Sequence, residues 1–394
     1  MTDAAALGPP VDDAPFAALK RWWGGHVLAQ ALLLAALFAL FAFLAHNVLV
    51  SMHRLGIDPS LSYLTQPANF DISESLIAYH AGDPYWKAIL VGVLNTLKLA
   101  VSGCALATAL GLTLGLARVA GNPLISWLIE AYVEVVRNTP LTLQLFFWIA
   151  STHALPSVRQ SFQPLPATYL SVRGVYVPWL HVDGQIWPLI AIVVAAALVL
   201  RAIHKIGKRP LRPAEALGIP AAALVAAAAW IGVSGLTATP DLPVLKGFNI
   251  VGGLALTPEF AAMLAGLSIY YAANVSEIVR SGLQSVTKGQ WEAGRALGLS
   301  RGRILQLVVL PQAMRVITPL MTSTYLDLTK DTTLGVLIGY TELTAVIKTS
   351  ANNTGNAVET ILVLVVVFLA ISLPVSAAIN AYNRSLARRG LTNK

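Results

Sequence analysis

Several charged or amide side chains lie within long apolar stretches of this sequence, where they are candidates for binding a charged solute. They are Glu134, Arg137, Asn274, Glu277, Arg280, Lys330 and Asp331. A charge at the centre of a bilayer costs roughly 2.5 to 3.5 kcal/mol, so each one requires a compensating role. Residues three apart can meet on one helical face, which predicts the pairs Glu134 with Arg137 and Glu277 with Arg280. The adjacent Lys330 and Asp331 instead diverge by about 100° around a helix.

Two interpretations of these charges remain open. The pairs could be structural ion pairs that only fix helix packing. Alternatively, they line a path by which a polar solute crosses the membrane. Arg137 favours the path because it precedes Asn138-Thr139-Pro140, where the proline removes a backbone donor and leaves unpaired carbonyls beside a cavity.

The elements that position these residues are predicted to be membrane-spanning helices. The chain has 394 residues, of which 56% are hydrophobic and 12% charged, with a mean hydropathy of +0.67, so an ordinary soluble domain is excluded. A span needs roughly 20 mostly apolar residues. Such runs lie near residues 26–50, 88–117, 131–155, 187–203, 216–236, 259–283, 313–334 and 358–382. We therefore expect an all-α polytopic membrane protein with about eight transmembrane helices.

The distribution of Lys and Arg predicts the orientation of the chain. Most of them fall in the termini and in alternate loops, as the positive-inside rule requires when both termini are cytoplasmic. The net charge of +8 then reflects topology and a lipid bilayer partner, and no nucleic acid is expected. The polar segment 285–312, between the sixth and seventh spans, lies on the cytoplasmic side in this orientation.

Chemistry within the chain itself is not expected. There is one cysteine, Cys104, and the sequence lacks a GxxxxGK[ST] loop, HExxH and CxxC. No nucleophile and base stand together as a pair. We therefore expect no catalytic residue, no metal site and no cofactor in this chain.

Segment 285–312 has the pattern of a helix, a tight turn and a second helix. Thr287 and Gln290 have the spacing of a capping box, and Gly298 can end the first helix in the left-handed conformation. Ser300 is a candidate cap for the second helix, which Pro311 interrupts before the next span. On composition alone the segment could also be an amphipathic connector that contacts only lipid headgroups.

The spacing within this segment resembles the EAA signature of ABC importer permeases. Glu292-Ala293-Gly294, three residues, Gly298, nine residues and Val308-Val309-Leu310-Pro311 follow that signature, except that Gly294 replaces Ala and Val308 replaces Ile. In that family the segment is the coupling helix, which docks on a separate ATP-binding subunit. The resemblance therefore implies a role in ATPase coupling for Gln290, Glu292, Ala293, Gly294, Arg295, Gly298, Ser300 and Pro311.

Other segments are similar to the polar amino-acid branch of this family, the histidine/glutamine type. They are Ser285 to Ala293, YVEVVRNTPLTLQLFFW from Tyr132 and YLDLTKDTTLGVLIGYTEL from Tyr325. The resemblance implies a five-helix ABC type I importer permease core, with an insertion like that of the enlarged permeases of general L-amino acid or glutamate/glutamine/aspartate/asparagine uptake systems. The expected organisation is a cytoplasmic segment 1–25, an extra span and outer loop 26–87, core 88–155, inserted region 156–258, core 259–382 with the EAA segment 285–312, and a tail 383–394.

The resemblance implies a subunit that imports polar L-amino acids across the bacterial inner membrane by alternating access. Its expected partners are a dimer of ATP-binding subunits, which holds ATP and Mg, a second homologous permease chain and a periplasmic amino-acid-binding protein. Because an amino acid is a zwitterion, Arg137 and Lys330 are candidates for its carboxylate. Glu134, Glu277 and Asp331 are candidates for its ammonium group.

The alternative function is an ion-coupled secondary amino-acid transporter without an ATPase partner. That class predicts inverted internal repeats, and the sequence contains no convincing repeat. The outer segment between Leu155 and Trp187 allows two interpretations, a docking surface for an external partner or a disordered connector.

Overall fold

The computed structural model describes residues 27–54, 60–120, 122–183, 213–235 and 237–386, with isolated helical residues between 188 and 203. The chain divides into two compact units, Met1–Leu64 and Thr65–Lys394. The first unit contains helix α1 (Val27–Arg54). The second contains α2 (Tyr85–Val119), α3 (Pro123–Asn138), α4 (Leu141–His153), α5 (Pro213–Ser234), α6 (Pro258–Gln284), α7 (Lys288–Ala296), α8 (Arg301–Ile304), α9 (Leu310–Asp331), α10 (Leu343–Thr354) and α11 (Ala357–Leu386).

Five described helical stretches are long and apolar enough to cross a membrane. They are Leu28–Arg54, Tyr85–Val119, Pro258–Gln284, Arg301–Leu337 and Ala357–Ala377. These correspond to the first, second, sixth, seventh and eighth predicted spans. In the region of the fifth, α5 is 22 residues long, and its part Ile219–Ser234 is apolar. The fourth predicted span, 187–203, lies largely outside the described residues.

The prediction of one helix over 131–155 is wrong. The helices α3 and α4 replace it, and each is shorter than the roughly 20 residues that a span needs. The break lies at Thr139 and Pro140, because Pro140 lacks the amide that would bond the Val136 carbonyl. That carbonyl is not left unpaired as predicted, since the Gln144 side-chain amide donates to Val136 O at 2.9 Å and to Thr139 O at 3.0 Å.

Pro311 does not interrupt its helix, which corrects a second expectation. A π-helical turn, Leu305–Val309, precedes it, and the Leu310 amide donates to the Leu305 carbonyl five residues back. The wider turn accommodates the proline without ending the helix. The chain therefore remains helical from Arg301 to Leu337, through α8, the π turn, α9 and a final 3-10 stretch.

The inserted region contains short strands, so the fold is not entirely α-helical. They are β1 (Tyr169–Ser171), β2 (Gly174–Val177), β3 (Trp179–Asp183), β4 (Thr237–Asp241), β5 (Val244–Lys246), β6 (Asn249–Val251) and β7 (Leu254–Leu256). Three antiparallel sheets result, β1-β2-β7, β3-β4 and β5-β6. The described segment between 155 and 183 is thus folded into strands and a 3-10 turn rather than a featureless connector.

The core of the second unit forms where α2 packs closely on α6. Gly111 and Gly115 allow this approach, because a Cβ at Gly111 would lie 2.5 Å from the Val275 side chain and one at Gly115 would lie 2.8 Å from Val279. Leu99 and other buried apolar side chains of α2, α4, α6 and α9 fill the adjacent space. This packing fixes α6 as the central helix beside which the charged residues lie.

Candidate functional site

Two polar cavities along α6 collect six of the seven predicted residues. A cavity of about 400 Å³ is lined by residues of α3, α6 and α9 that include Arg137, Asn274, Glu277 and Asp331. A second cavity, of about 430 Å³, is lined by Glu134, Arg137, Glu277 and Arg280 among others. Arg137 and Glu277 belong to both walls, so the two cavities adjoin. We call them the upper cavity (400 Å³) and the lower cavity (430 Å³).

Asp331 is held in the upper cavity by a tyrosine that the sequence did not single out. The Tyr271 hydroxyl donates to Asp331 Oδ2 at 2.7 Å, and the Tyr271 ring is buried in the core. Asp331 forms no ion pair with any described residue, which leaves its second oxygen available in the cavity wall. Among 394 residues with 11 tyrosines, no local pattern marks Tyr271 for this position.

Glu277 forms the predicted pair with Arg280 and belongs to a larger network. Arg280 Nε donates to Glu277 Oε2 at 3.0 Å, and its Nη2 bonds the other carboxylate oxygen. Arg118, at the end of α2, also donates to Glu277 Oε2 at 2.8 Å and to Glu130 at 2.7 Å. Two guanidinium groups thus neutralise Glu277. Sequence reasoning missed Arg118 and Glu130 because they are far from Glu277 along the chain.

The predicted pair Glu134 and Arg137 does not form. Both side chains line the lower cavity, but neither makes an ion pair in the described part of the chain. Lys330 diverges from Asp331 as expected and lies 3.7 Å from Asp327, three residues earlier. Both members of that pair are more than 60% exposed, and Lys330 lines neither cavity. The structure therefore separates Lys330 from the other predicted residues.

The EAA segment folds as a helix, a tight turn and a second helix, as predicted. After α7, Gly298 adopts a left-handed φ of 72°, and the Leu299 amide donates to the Gly294 carbonyl at 3.2 Å. Gly294 is buried, and a Cβ there would lie 2.8 Å from Ile304 of the second helix. This contact explains why glycine replaces the usual alanine of the signature at this position.

The two predicted side-chain caps are wrong. Thr287 and Ser300 precede α7 and α8, but neither side chain makes a capping hydrogen bond. Gln290 instead accepts from the Gln312 side chain at 3.2 Å, which joins the start of α7 to α9. The Gln290 side chain therefore bonds Gln312 of α9 and not the start of its own helix, so the predicted capping box does not form.

One face of the EAA segment is exposed to solvent. The exposed residues include Glu292, Ala293, Arg295, Leu297 and Ser300, and Pro311 is exposed on α9. Leu297 is 78% exposed, so a large apolar side chain stands at the tip of the turn. A cavity of about 490 Å³ lies beside Glu292 and Arg295, against Val119 of α2. An exposed apolar tip next to a cavity is typical of a protein docking surface.

Residues 107–389 match the family described as "Binding-protein-dependent transport system inner membrane component". The chain belongs to this family. The matched range includes the residues that line both cavities and the complete EAA segment. Both features therefore lie in the part of the chain that the family shares.

Named relatives extend the similarity over most of the permease chain. It is 37% identical to the general L-amino acid transport system permease protein AapQ of Rhizobium johnstonii, over 92% of each chain. It is 31% identical to the glutamate/glutamine/aspartate/asparagine transport system permease protein BztB of Rhodobacter capsulatus, over 91% of this chain and 93% of that protein. A solved structure, described as "Crystal structure of an amino acid ABC transporter with histidines", aligns with a TM-score of 0.47 and 19% identity, over 77% of this chain and 95% of that chain.

Proposed function

We propose that this permease is the membrane-spanning subunit of an ABC importer that takes up polar L-amino acids by alternating access. The observation that carries the proposal is the placement of α6 and α9. Both helices line the upper cavity, and they flank the EAA segment in the chain. A movement of the EAA segment can thus reach the cavity through the helices that enclose it. The names of AapQ and BztB support the substrate class.

Within the upper cavity, Arg137 and Asp331 are the groups that we assign to the zwitterion. Glu277 is already neutralised by two arginines, and Lys330, which lines neither cavity, pairs with Asp327 of the upper-cavity wall. Arg137 and Asp331 have no such ion-pair partner among the residues described. The guanidinium suits the substrate carboxylate, because it can donate two parallel hydrogen bonds, and Asp331 suits the ammonium group.

We also propose three partners, two of which would cover exposed surfaces of the chain. We propose that a dimer of ATP-binding subunits, holding ATP and Mg, docks on the EAA segment, which is consistent with the exposed Leu297. A second, homologous permease chain would cover the exposed Lys330 side chain, which lines neither cavity, because a charge on a spanning helix is costly against lipid. A periplasmic amino-acid-binding protein would deliver the substrate. The chain would lie in the bacterial inner membrane with both termini in the cytoplasm.

The test is amino-acid uptake and ATP hydrolysis by the co-expressed complex in proteoliposomes, with Glu292→Ala and Gly298→Asp. We expect wild-type uptake to require ATP and both variants to lose most of it while the complex stays assembled. Gly247→Asp is the matched control, since Gly247 has a similar left-handed φ of 62° and, like Gly298, no atom within 4 Å of an added Cβ. Transport that follows a proton or sodium gradient without an ATPase would refute the proposal in favour of a secondary transporter.

A further inference from the structure

The end of α2 joins the charged network of the cavities to the EAA segment. The Arg118 side chain is only 11% exposed and bridges Glu277 of α6 and Glu130 of α3, at 2.8 and 2.7 Å. Arg118 also lines the lower cavity, so α2 contributes to the wall of that cavity through this side chain. One guanidinium therefore holds three helices together at this point.

The next residue, Val119, contacts the EAA segment. Val119 packs against the same buried apolar cluster as Trp291, and the two side chains line common cavities. The Val119 carbonyl also accepts from Arg301 Nη2 at 3.4 Å. A single peptide unit thus separates a contact with the EAA segment from the side chain that holds Glu277.

The connection beyond α2 is short and hydrogen-bonded. The Ser126 hydroxyl of α3 donates to the Arg118 carbonyl at 2.8 Å. Asn122 caps α3 by accepting from the Leu124 and Ile125 amides at 3.0 and 3.2 Å. Because the Ser126 bond joins the end of α2 to the first turns of α3, a displacement of one helix end is passed to the other.

We propose that Arg118 couples the EAA segment to the substrate cavities. This inference rests on the proposed function. When the ATP-binding subunits move the EAA segment, Arg301 and Trp291 shift the end of α2, and Arg118 changes its hold on Glu277 and Glu130. Glu277 lies in the walls of both cavities, so its release or capture alters passage between them. Arg118 is thus a positioning residue rather than a group that binds the substrate.

The test uses Arg118→Lys, which keeps the charge but loses the planar fork that bridges two carboxylates. We expect amino-acid uptake per ATP hydrolysed to fall about tenfold, while basal ATP hydrolysis and substrate affinity in detergent stay near wild type. The matched control is Arg280→Lys. Arg280 is the other arginine that bonds Glu277, but it lies on the same helix, α6, and so does not join α2 to Glu277. Its ratio of uptake to ATP hydrolysis should remain near the wild-type value even if both rates fall.

Two outcomes overturn the inference without touching the proposed function. One is a wild-type ratio in Arg118→Lys, and the other is an equal loss of ratio in both variants, which would indicate that only neutralisation of Glu277 matters. If Arg118→Lys fails to assemble, Arg301→Gln breaks the link at its other end and must lower the ratio as well; a normal ratio there overturns the inference. Wild-type uptake that needs no ATP would overturn both proposals together.

Discussion

At the scale of single residues, the fold decides which charges remain available to a substrate. Pairing removes Glu277 and Lys330, and leaves Arg137 and Asp331 facing the upper cavity. Sequence spacing correctly predicted the Glu277 to Arg280 pair, because residues three apart on a helix are neighbours. It could not predict Tyr271 or Arg118, whose contacts cross from one helix to another.

The hydrogen bond from Tyr271 to Asp331 makes a prediction at this scale. Tyr271→Phe should raise the KM for amino-acid uptake about tenfold and change the maximal rate less, because a hydrogen bond to a charged group contributes about 1.5 kcal/mol or more. The measurement is the concentration dependence of uptake in proteoliposomes.

Tyr325→Phe is the matched control for that experiment. The Tyr325 hydroxyl bonds the Thr108 hydroxyl at 2.7 Å, between α9 and α2, and its side chain lines neither cavity. Loss of an interhelical hydrogen bond alone should therefore leave the KM unchanged. An equal rise of KM in both variants would assign Tyr271 a purely structural role.

At the scale of elements, backbone hydrogen bonding explains where the predicted helices differ from those observed. Proline was expected to disturb two helices. It ends the helix before Pro140, but the helix continues through Pro311. The two sites compensate for the missing proline amide differently. At Pro140 the Gln144 side chain bonds the carbonyl that the proline leaves free, and before Pro311 a π turn accommodates the proline ring. Neither the Gln144 hydrogen bond nor the π turn has a sequence signature as clear as the proline itself.

The close packing of α2 on α6 gives a prediction at the scale of elements. Gly111→Ala should destabilise the protein by roughly 1 to 3 kcal/mol, as overpacked cores do, because the new methyl group would meet Val275 at 2.5 Å and the Ala272 carbonyl at 2.9 Å. Thermal unfolding of the purified protein in detergent measures the change. Gly232→Ala is the control on α5, where an added Cβ meets nothing within 4 Å. Equal unfolding temperatures for the two variants would contradict this packing.

At the scale of the whole molecule, the α10 region is tied to α2 through buried polar groups. Asn95 donates to the Thr341 carbonyl at 2.9 Å, and the Leu343 amide donates to the Thr96 hydroxyl at 3.1 Å. Glu342 lies between these contacts and caps α10 by accepting from the Thr344 and Ala345 amides. Burial raises the pKa of the Glu342 carboxyl to about 7, although those hydrogen bonds to it lower the pKa.

This carboxyl makes stability depend on pH. Because its folded pKa lies above the unfolded value of 4.5, the folded protein retains a proton that the unfolded chain releases between these limits. Its contribution to stability is complete below pH 4.5 and is lost as pH rises through about 7, by about 3 kcal/mol at most. Thermal unfolding from pH 4 to 8 should therefore show a falling midpoint, and Glu342→Gln should flatten that fall. An unaltered pH slope in Glu342→Gln would show that other groups are responsible.

The sequence by itself determined the features that depend on near neighbours. Long apolar runs predicted five of the spans, and the EAA spacing with Gly298 predicted the helix, turn and helix of segment 285–312. These succeed because hydropathy, helical periodicity and left-handed glycine act over a few residues. The same locality explains why the prediction of the Glu277 and Arg280 pair was correct.

Only the tertiary structure decided which distant groups meet. Arg118 and Glu277 are 159 positions apart in the chain, and Glu277 and Asp331 share a cavity only because α6 and α9 lie side by side. The strands of the inserted region, short and partly solvent-exposed, also emerged only in the fold. Each of these features depends on contacts between helices or strands, and no spacing along a single chain encodes such contacts.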